Sequence, residues 1–252
     1  MHSSTHPQSL HHPHAGMDPQ VRPLIEFDDY CYAYEDVPTL SHIDLSIDAG
    51  ESVVLMGDNG SGKSTLLKAM SGLVLAQRGS YRFDGQEVDA SSMRDASFSK
   101  RLHQRVGFIF QDSDAQLFCA SVEDEIAFGP RQMQLAEEEV ARRVDDVCQL
   151  LGIEKLRGRA PYNLSGGEQK KVALACILSM NPDVYCFDEP LNGLDQRTRA
   201  WLVGFLGQLK SAGKTLVIAT HDQSLADEVA DWFAYMGDYH GYEDRPHVHI
   251  GA

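Results

Sequence analysis

Residues Gly57–Thr65 read GDNGSGKST, and this stretch decides how the rest of the chain is interpreted. Gly57, Gly62, Lys63 and Ser64 fit the phosphate-binding pattern GxxxxGK[ST]. The preceding residues Ser52–Met56 are apolar and rich in valine, which indicates a buried strand. The following residues, 66–70, have the composition of a helix start.

A strand, a glycine loop and a helix in that order form a site for anions. Glycines let the backbone approach a ligand without a Cβ in the way, and the loop N–H groups and the helix N-terminus then point at phosphate oxygens. We therefore predict that Lys63 reaches the β- and γ-phosphates of a nucleotide and that the Ser64 hydroxyl binds Mg²⁺.

The composition limits the class of protein. The chain has 252 residues, of which 42% are hydrophobic, enough for one large domain or two small ones. Its formal net charge of −15 disfavours nonspecific binding to nucleic acid, so no nucleic-acid partner is expected. Five scattered cysteines without a CxxC pair favour reduced thiols in a cytoplasm. The longest strongly apolar stretch, residues 172–180, is too short to span a bilayer.

The first 20 residues differ from the rest of the chain. They contain five histidines among serine, proline and glutamine, with little that packs, so residues 1–20 are predicted to be a disordered tail. The histidines either bind transition metal or are simply solvated, and the composition favours the second interpretation. Residues 21–252 are predicted to form a single domain.

Three later runs resemble the strand before the glycine loop. Residues 106–110, 184–187 and 216–219 are continuous and apolar, as in parallel strands covered on both faces. Because ligands bind at the carboxyl ends of such strands, the polar residues there are predicted to converge on the phosphates. These residues are Gln111, Asp188, Glu189 and His221.

The remaining periodic segments complete the outline. Residues 24–34, 43–47 and 82–85 predict a small, mainly antiparallel β portion, and apolar residues alternate in 43–47. Residues 140–151 and 201–209 carry apolar side chains at helical spacing, which predicts two amphipathic helices.

Residues Leu164–Glu168 read LSGGE and allow two interpretations. One is a capping box, in which Ser165 caps a helix and Glu168 reaches back. That interpretation leaves Gly166 and Gly167 unexplained, because each glycine inside a helix costs up to about 1 kcal/mol relative to alanine. Bare backbone at a capped helix start also suits an anion that approaches from another molecule.

Taken together, GDNGSGKST, LSGGE and VYCFDEP resemble the motifs of ABC ATPases in order and spacing, from about residue 24 to residue 235. The resemblance implies an α/β P-loop NTPase fold with a mostly parallel central sheet, an N-terminal antiparallel β subdomain and an inserted α-helical subdomain at about residues 112–166. It also implies ATP and Mg²⁺ as cofactors and ATP hydrolysis as the activity. A second ABC ATPase subunit, identical or homologous, is implied as the partner that closes head to tail around two nucleotides.

The resemblance further implies a role for each matching residue. Adenine stacks on Tyr34, with Tyr32 as a neighbouring candidate, and the phosphates lie on Gly57, Asp58, Asn59, Gly60, Ser61, Gly62, Lys63, Ser64 and Thr65. Glu189 resembles the general base, His221 contacts the γ-phosphate, and Gln111 contacts Mg²⁺ and the attacking water. Mg²⁺ is implied to bind Ser64, Gln111 and Asp188. Ser165, Gly166, Gly167 and Glu168 act on the nucleotide of the opposite subunit, and Asp195 lies in the loop that crosses the dimer interface, where Gln196 replaces the proline of many members.

Residues 110–130, FQDSDAQLFCASVEDEIAFGP, are similar to the energy-coupling-factor ATPases that drive uptake of cobalt, nickel, biotin and other vitamins. This implies a peripheral subunit on the cytoplasmic side of the cell membrane, bound to a transmembrane coupling protein and a substrate-binding membrane subunit. Leu117 and Phe118 are the expected apolar anchors of that docking, with Asp112, Asp114 and Glu123 facing basic groups. Two alternatives stay open: an ordinary amphipathic surface helix here, and a soluble ABC ATPase that serves as an iron–sulfur assembly scaffold.

Overall fold

The computed structural model describes residues 22–110, 116–238 and 246–251. Its strands are β1 (Ile25–Tyr34), β2 (Val37–Ile47), β3 (Ser52–Met56), β4 (Arg78–Phe83), β5 (Gln86–Glu87), β6 (Val106–Ile109), β7 (Val184–Asp188), β8 (Thr215–Ala219), β9 (Trp232–Asp238) and β10 (Pro246–Gly251). Its helices are α1 (Lys63–Met70), α2 (Ala96–Arg105), α3 (Val122–Gln132), α4 (Glu137–Leu151), α5 (Gly166–Met180), α6 (Gln196–Ser211) and α7 (Gln223–Val229). The predicted tail at 1–20 and Gln111 lie outside the described residues.

The central layer is a six-stranded sheet in the order β10-β9-β3-β8-β7-β6. Five strands run parallel to one another, namely β9, β3, β8, β7 and β6. The sixth, β10, pairs antiparallel with β9 at the edge. The four apolar runs of the sequence are β3, β6, β7 and β8, and their side chains are almost all buried. The predicted mostly parallel sheet is therefore confirmed, although β9 was not predicted from its sequence.

The second sheet is antiparallel, with the order β2-β1-β4-β5. Along β2 the side chains of Ile43, Leu45 and Ile47 are buried while those of Asp44 and Ser46 are exposed, as the alternation predicts. The pairing of β1 with β2 shifts register three times between Phe27 and Ala33. The first shift adds a residue to β1 and the other two add residues to β2, so both strands are bulged in this stretch.

Two hydrophobic cores cover the two faces of the central sheet. The first lies between the antiparallel sheet, α1 and α2, and contains Tyr30, Leu66 and Tyr81. The second joins the other face to α3–α7, and it takes in the apolar stripes predicted for α4 and α6. The α/β fold with an antiparallel β portion and inserted helices is thus as predicted.

Helices α3 and α4 and two short 3₁₀ turns fill the interval between β6 and α5. The inserted helical part therefore packs through α3, α4 and α5 on one side of the sheet. Among the described residues, no helix is both long and apolar enough to cross a membrane.

Candidate functional site

The glycine loop joins the carboxyl end of β3 to the N-terminus of α1. Gly57 has φ +142°, and a Cβ there would lie 1.9 Å from the carbonyl oxygen of Met236 on β9. Gly62 caps α1 with φ +95°, and its Cβ would lie 2.8 Å from the carbonyl oxygen of Thr39. Both positions combine a positive φ with a close approach of another strand, so only glycine fits them.

Lys63 is buried beneath the loop. Its ammonium group donates to the carbonyl oxygens of Gly57 at 2.7 Å and Asp58 at 2.9 Å. Asp58, Asn59 and Gly60 form the exposed crest above it. An ammonium group has three N–H donors, and two of them hold the loop in shape here.

The Ser64 hydroxyl donates to the Asp188 carboxylate at 2.9 Å, which joins the first turn of α1 to the end of β7. Asp188 is buried, and burial raises its pKa, with the neighbouring Glu189 charge adding to the rise and the Ser64 hydrogen bond opposing it. A carboxylate that is destabilised in this way gains from a nearby cation.

Glu189 is held beside Asp188 in an uncommon backbone conformation. Its φ is +45°, and its N–H donates to the carbonyl oxygen of Ala219 at the end of β8. One carboxylate oxygen lies 2.9 Å from His221 Nδ1, and the other accepts from the Thr220 hydroxyl at 3.3 Å. The carboxylate is nearly buried whereas the His221 ring is largely exposed, so the pair runs from the sheet edge to the surface.

The structure thus brings four of the predicted residues together. Asp188, Glu189 and His221 lie at or just after the ends of the adjoining parallel strands β7 and β8, and Ser64 reaches Asp188 from the first turn of α1. Thr220 joins them, although the sequence analysis assigned it no role. Its only signal in the sequence is its place between a buried strand and His221.

Two tyrosines close β1 near the turn into β2. The rings of Tyr32 and Tyr34 pack edge to face with centroids 4.8 Å apart, and Tyr34 is exposed. The side-chain amide of Gln77 brackets Ala33, accepting from its N–H at 2.9 Å and donating to its carbonyl at 3.1 Å. Gln77 was missed by the sequence analysis, because its partner lies 44 residues away.

The LSGGE segment forms the predicted capping box at the start of α5. The Ser165 hydroxyl accepts from the Glu168 N–H at 3.4 Å, and the Glu168 carboxylate accepts from the Ser165 N–H at 2.8 Å. Ser165 and Gly166 are exposed, and a Cβ at Gly166 would meet nothing within 4 Å. The capping interpretation therefore explains Ser165 and Glu168 but not the exposed glycine.

The segment beside the start of α5 carries Asp195, which caps α6. Its carboxylate accepts from the N–H groups of Arg197 and Thr198 and from the Thr198 hydroxyl, and these hydrogen bonds lower its pKa. A Cβ at Gly167 would lie 3.3 Å from that same hydroxyl. No hydrogen bond among the described residues links the LSGGE segment to the glycine loop, so the two segments are not joined directly within one chain.

An apolar cavity of about 430 Å³ opens beside α3, and we call it the α3 groove; its lining includes Gln116, Leu117, Phe118, Phe128, Ile177 and Met180. Phe118 is 69% exposed, and its ring contacts Phe128 edge to face. The buried Glu125 carboxylate accepts from the N–H groups of Phe118 at 2.8 Å and Cys119 at 2.6 Å, and so fixes this rim of the groove.

The structure shows a contact for one of the three acidic residues expected to face the partner. Glu123, expected to face a partner's basic group, instead accepts from Arg157 at 2.8 Å within this chain. Asp112 and Asp114 lie outside the described residues. Glu125, the residue that shapes the rim, was missed because a glutamate three residues into a helix is ordinarily solvated.

A glycine loop whose helix start is hydrogen-bonded to a buried strand-end carboxylate, with a second carboxylate beside it, defines a P-loop nucleoside triphosphatase. Residues 40–192 match the sequence pattern of the ABC transporter family, and the chain belongs to that family. It is accordingly an ATP-binding cassette that hydrolyses ATP.

Similar proteins extend over nearly the whole chain. The nickel import ATP-binding protein LarO of Lactiplantibacillus plantarum is 42% identical over 217 residues, which covers 86% of this chain and 90% of LarO. The solved structure of cbiO1 from Clostridium perfringens, part of the ABC transporter complex cbiONQ, has a TM-score of 0.77 at 32% identity and covers 90% of this chain and 87% of that one. The ATP-binding cassette MJ0796, in a dimeric post-hydrolysis state bound to ADP and Pi, has a TM-score of 0.74 at 26% identity, with coverage of 84% and 93%.

Proposed function

We propose that this cassette powers a membrane importer of a micronutrient, with a transition-metal ion such as nickel or cobalt favoured over a vitamin such as biotin. The similarity to LarO, named for nickel import, and to cbiO1, named as part of a transporter complex, supports this assignment. The structural observation that carries it is the α3 groove, whose Gln116 is hydrogen-bonded to Phe108 and Phe110 at the end of β6, because an importer ATPase must transmit nucleotide-driven motion to a membrane partner.

The phosphates of ATP are proposed to lie on residues 57–65, with adenine against Tyr34 or Tyr32. The third N–H of Lys63 is directed to the β- and γ-phosphates, while its other two keep the loop in shape. Ser61 supports this placement, since its hydroxyl is buried without a partner among the described residues and a phosphate oxygen would supply one.

The donor set at the loop suits Mg²⁺. Ser64 and Asp188 offer a hydroxyl and a carboxylate oxygen 2.9 Å apart, which are the hard oxygen ligands that Mg²⁺ prefers. Burial raises the pKa of Asp188 because it destabilises the ionised carboxylate, and such a cation would offset that cost. Gln111 is proposed as the third contact. When bound, Mg²⁺ neutralises charge on the β- and γ-phosphates.

Glu189 is proposed as the general base and His221 as the residue that positions it and contacts the γ-phosphate. A base must hold one conformation to orient water, and Glu189 is held by Thr220, His221 and its own strained backbone. His221 is exposed enough to turn toward a phosphate while remaining beside the carboxylate.

The second half of each site is proposed to come from another cassette, identical or homologous. Ser165, Gly166, Gly167 and Glu168 lie at an exposed helix start that offers bare N–H groups to an anion. Asp195 caps the neighbouring helix, which ties the interface loop to the same surface. Closure head to tail then places this surface over the partner's γ-phosphate.

The α3 groove is proposed to receive a helix of the transmembrane coupling protein, with Leu117 and Phe118 as anchors, at the cytoplasmic face of the membrane. An exposed phenylalanine at the rim of an apolar groove is the kind of residue that dominates binding energy. The substrate-binding membrane subunit would meet the cassettes only through that coupling protein.

The catalytic assignment is tested by Glu189→Gln. Hydrolysis is expected to fall at least about 100-fold, because a general base supplies that much or more, while ATP affinity stays within a few-fold. With the γ-phosphate retained, a closed dimer accumulates on size-exclusion chromatography with ATP. The matched control is Glu138→Gln on an exposed face of α4, which should hydrolyse normally. Near-normal turnover in Glu189→Gln would remove Glu189 from the mechanism.

The docking assignment is tested by replacing Leu117 and Phe118 together with serine. Recovery of the membrane partner from detergent extracts should fall at least tenfold, with ATP binding by the isolated cassette unchanged. Leu150→Ser is the control, since Leu150 is 55% exposed on α4 outside the groove lining. Wild-type recovery by the folded double variant contradicts docking here. Recovery of only soluble partners by the wild-type chain would point back to an assembly scaffold.

A further inference from the structure

Three side chains on the antiparallel sheet bring different metal-binding atoms together, and none of the three has a role in the nucleotide site. Asp29 and Cys31 lie on β1 and His42 lies on β2. The Asp29 carboxylate, the Cys31 sulfur and a His42 ring nitrogen lie within 4.8 Å of one another. We call these residues the β1–β2 cluster.

The backbone around the cluster is adapted to this arrangement. Asp29 has φ +48° and His42 has φ +52°, in the left-handed region that non-glycine residues seldom adopt. The register shifts place an extra residue in β1 at residues 28–29 and an extra residue in β2 at residues 41–42, so both bulges lie at the cluster. The backbone N–H of His42 donates to the Cys31 sulfur at 3.3 Å, so the thiol lies against the histidine backbone within 4.8 Å of a ring nitrogen. Such local strain persists where the surroundings enforce it, and it is concentrated at binding sites.

The contacts inside the cluster are those that a metal ion can replace. His42 Nδ1 is hydrogen-bonded to one oxygen of Asp29, and Arg78 binds the other oxygen at 3.0 Å. The Arg78 side chain is 67% exposed and free to swing into solvent. Metal–ligand bonds of about 2.0–2.3 Å require only small rotations of three side chains that are already this close.

The donor chemistry selects the class of metal. A thiolate, an imidazole and a carboxylate together suit zinc, cobalt or nickel, whereas Mg²⁺ and Ca²⁺ take sites made of oxygen. Three protein ligands leave at least one position for water, and the partly exposed side chains of Asp29 and His42 allow entry from solvent. The next residue after Cys31 is Tyr32, so an ion here would hold the bulge that leads into the two tyrosines.

We propose that the β1–β2 cluster is a binding site for one divalent first-row transition-metal ion, separate from the Mg²⁺ site at the glycine loop. It also differs from the histidines of residues 1–20, which lie outside the described residues. The alternative is that Asp29, His42 and Arg78 form only a polar bridge that fastens β1 to β2 on one side and to β4 on the other.

The test uses Co²⁺ without nucleotide, in a full chain whose tail histidines are replaced by glutamine; these are His2, His6, His11, His12 and His14. Titration should show one equivalent of Co²⁺ with a thiolate-to-cobalt charge-transfer band in the near ultraviolet. Co²⁺ should also raise the Tm of this chain by mass action.

Cys31→Ser, a nearly isosteric change, should remove the band and weaken Co²⁺ binding at least tenfold. His42→Gln should weaken Co²⁺ binding as much. If His42→Gln does not fold, Asp29→Asn is the variant to use in its place, with the same expected loss of binding. His103→Gln is the control, because that imidazole contacts the Ser71 carbonyl on a different part of the fold. A parent chain without the band, or a band unchanged by Cys31→Ser, would overturn the site in favour of the polar bridge.

Discussion

Gly57→Ala tests how far the glycine loop depends on its contact with β9. A Cβ at Gly57 would lie 1.9 Å from the Met236 carbonyl oxygen, about 1 Å closer than real Cβ atoms come. The oxygen belongs to the backbone of β9, so it cannot turn aside as a flexible side chain can. Strand β9 is held in the sheet by β3 and β10, so neither side can move away without breaking pairing.

The expected loss of stability has two parts. Overpacking a closed site costs about 1–3 kcal/mol, and a non-glycine residue at φ +142° adds about 1–3 kcal/mol. Together the two parts amount to about 2–6 kcal/mol, and at about 2–4 °C per kcal/mol for a domain of this size Tm should fall by roughly 4–24 °C. ATP affinity should fall with it, because relief of the contact displaces the loop that holds Lys63.

Gly60→Ala is the matched control in the same loop. Its φ is +87°, but a Cβ there would meet nothing within 4 Å. Only the backbone penalty of about 1–2 kcal/mol remains, so Tm should fall by no more than about 8 °C. Thermal unfolding without nucleotide and equilibrium binding of a fluorescent ATP analogue measure both effects. Equal Tm values for the two variants, or wild-type ATP affinity in Gly57→Ala, would refute the argument from the β9 contact.

Three further changes separate stability from function. Asp188→Asn should unfold at a higher temperature than wild type at pH 7 without nucleotide. Burial raises the pKa of Asp188, so its ionised form destabilises the fold as pH rises above the ordinary carboxyl range. The gain in Tm should vanish in acid, and a gain that persists at pH 3 would contradict this reasoning. Glu125→Ala leaves the N–H groups of Phe118 and Cys119 without their acceptor, at about 1–3 kcal/mol each if they stay buried, so Tm and recovery of the membrane partner should both fall; unchanged recovery would separate the groove from docking. Ser165→Ala should cost only about 1 kcal/mol of stability in denaturant unfolding yet abolish the ATP-dependent dimer of Glu189→Gln, and a dimer that still forms would limit Ser165 to its capping role.

The sequence was sufficient wherever a pattern is local. The glycine loop is read from spacing and its flanking apolar run, and α4 and α6 are read from helical periodicity, because each needs only neighbours along the chain. The strand-end carboxylates followed from continuous apolar runs, since strands covered on both faces must belong to a parallel sheet. These features locate Ser64, Asp188, Glu189 and His221 from the sequence alone.

Tertiary structure alone decided which distant groups meet. Strand β9 begins with the apolar run WFAYM at residues 232–236, but its contact with Gly57 appears only when 179 residues of chain bring Met236 back to the loop. Glu125 becomes the support of the groove rim because packing buries it under Phe118 and Cys119. Asp29, Cys31 and His42 gather only because β1 and β2 are both bulged where they pair. Periodicity records which face of an element is buried, but a close contact between backbones or side chains of separate elements depends on register and bulges, and these are settled by packing of the whole chain.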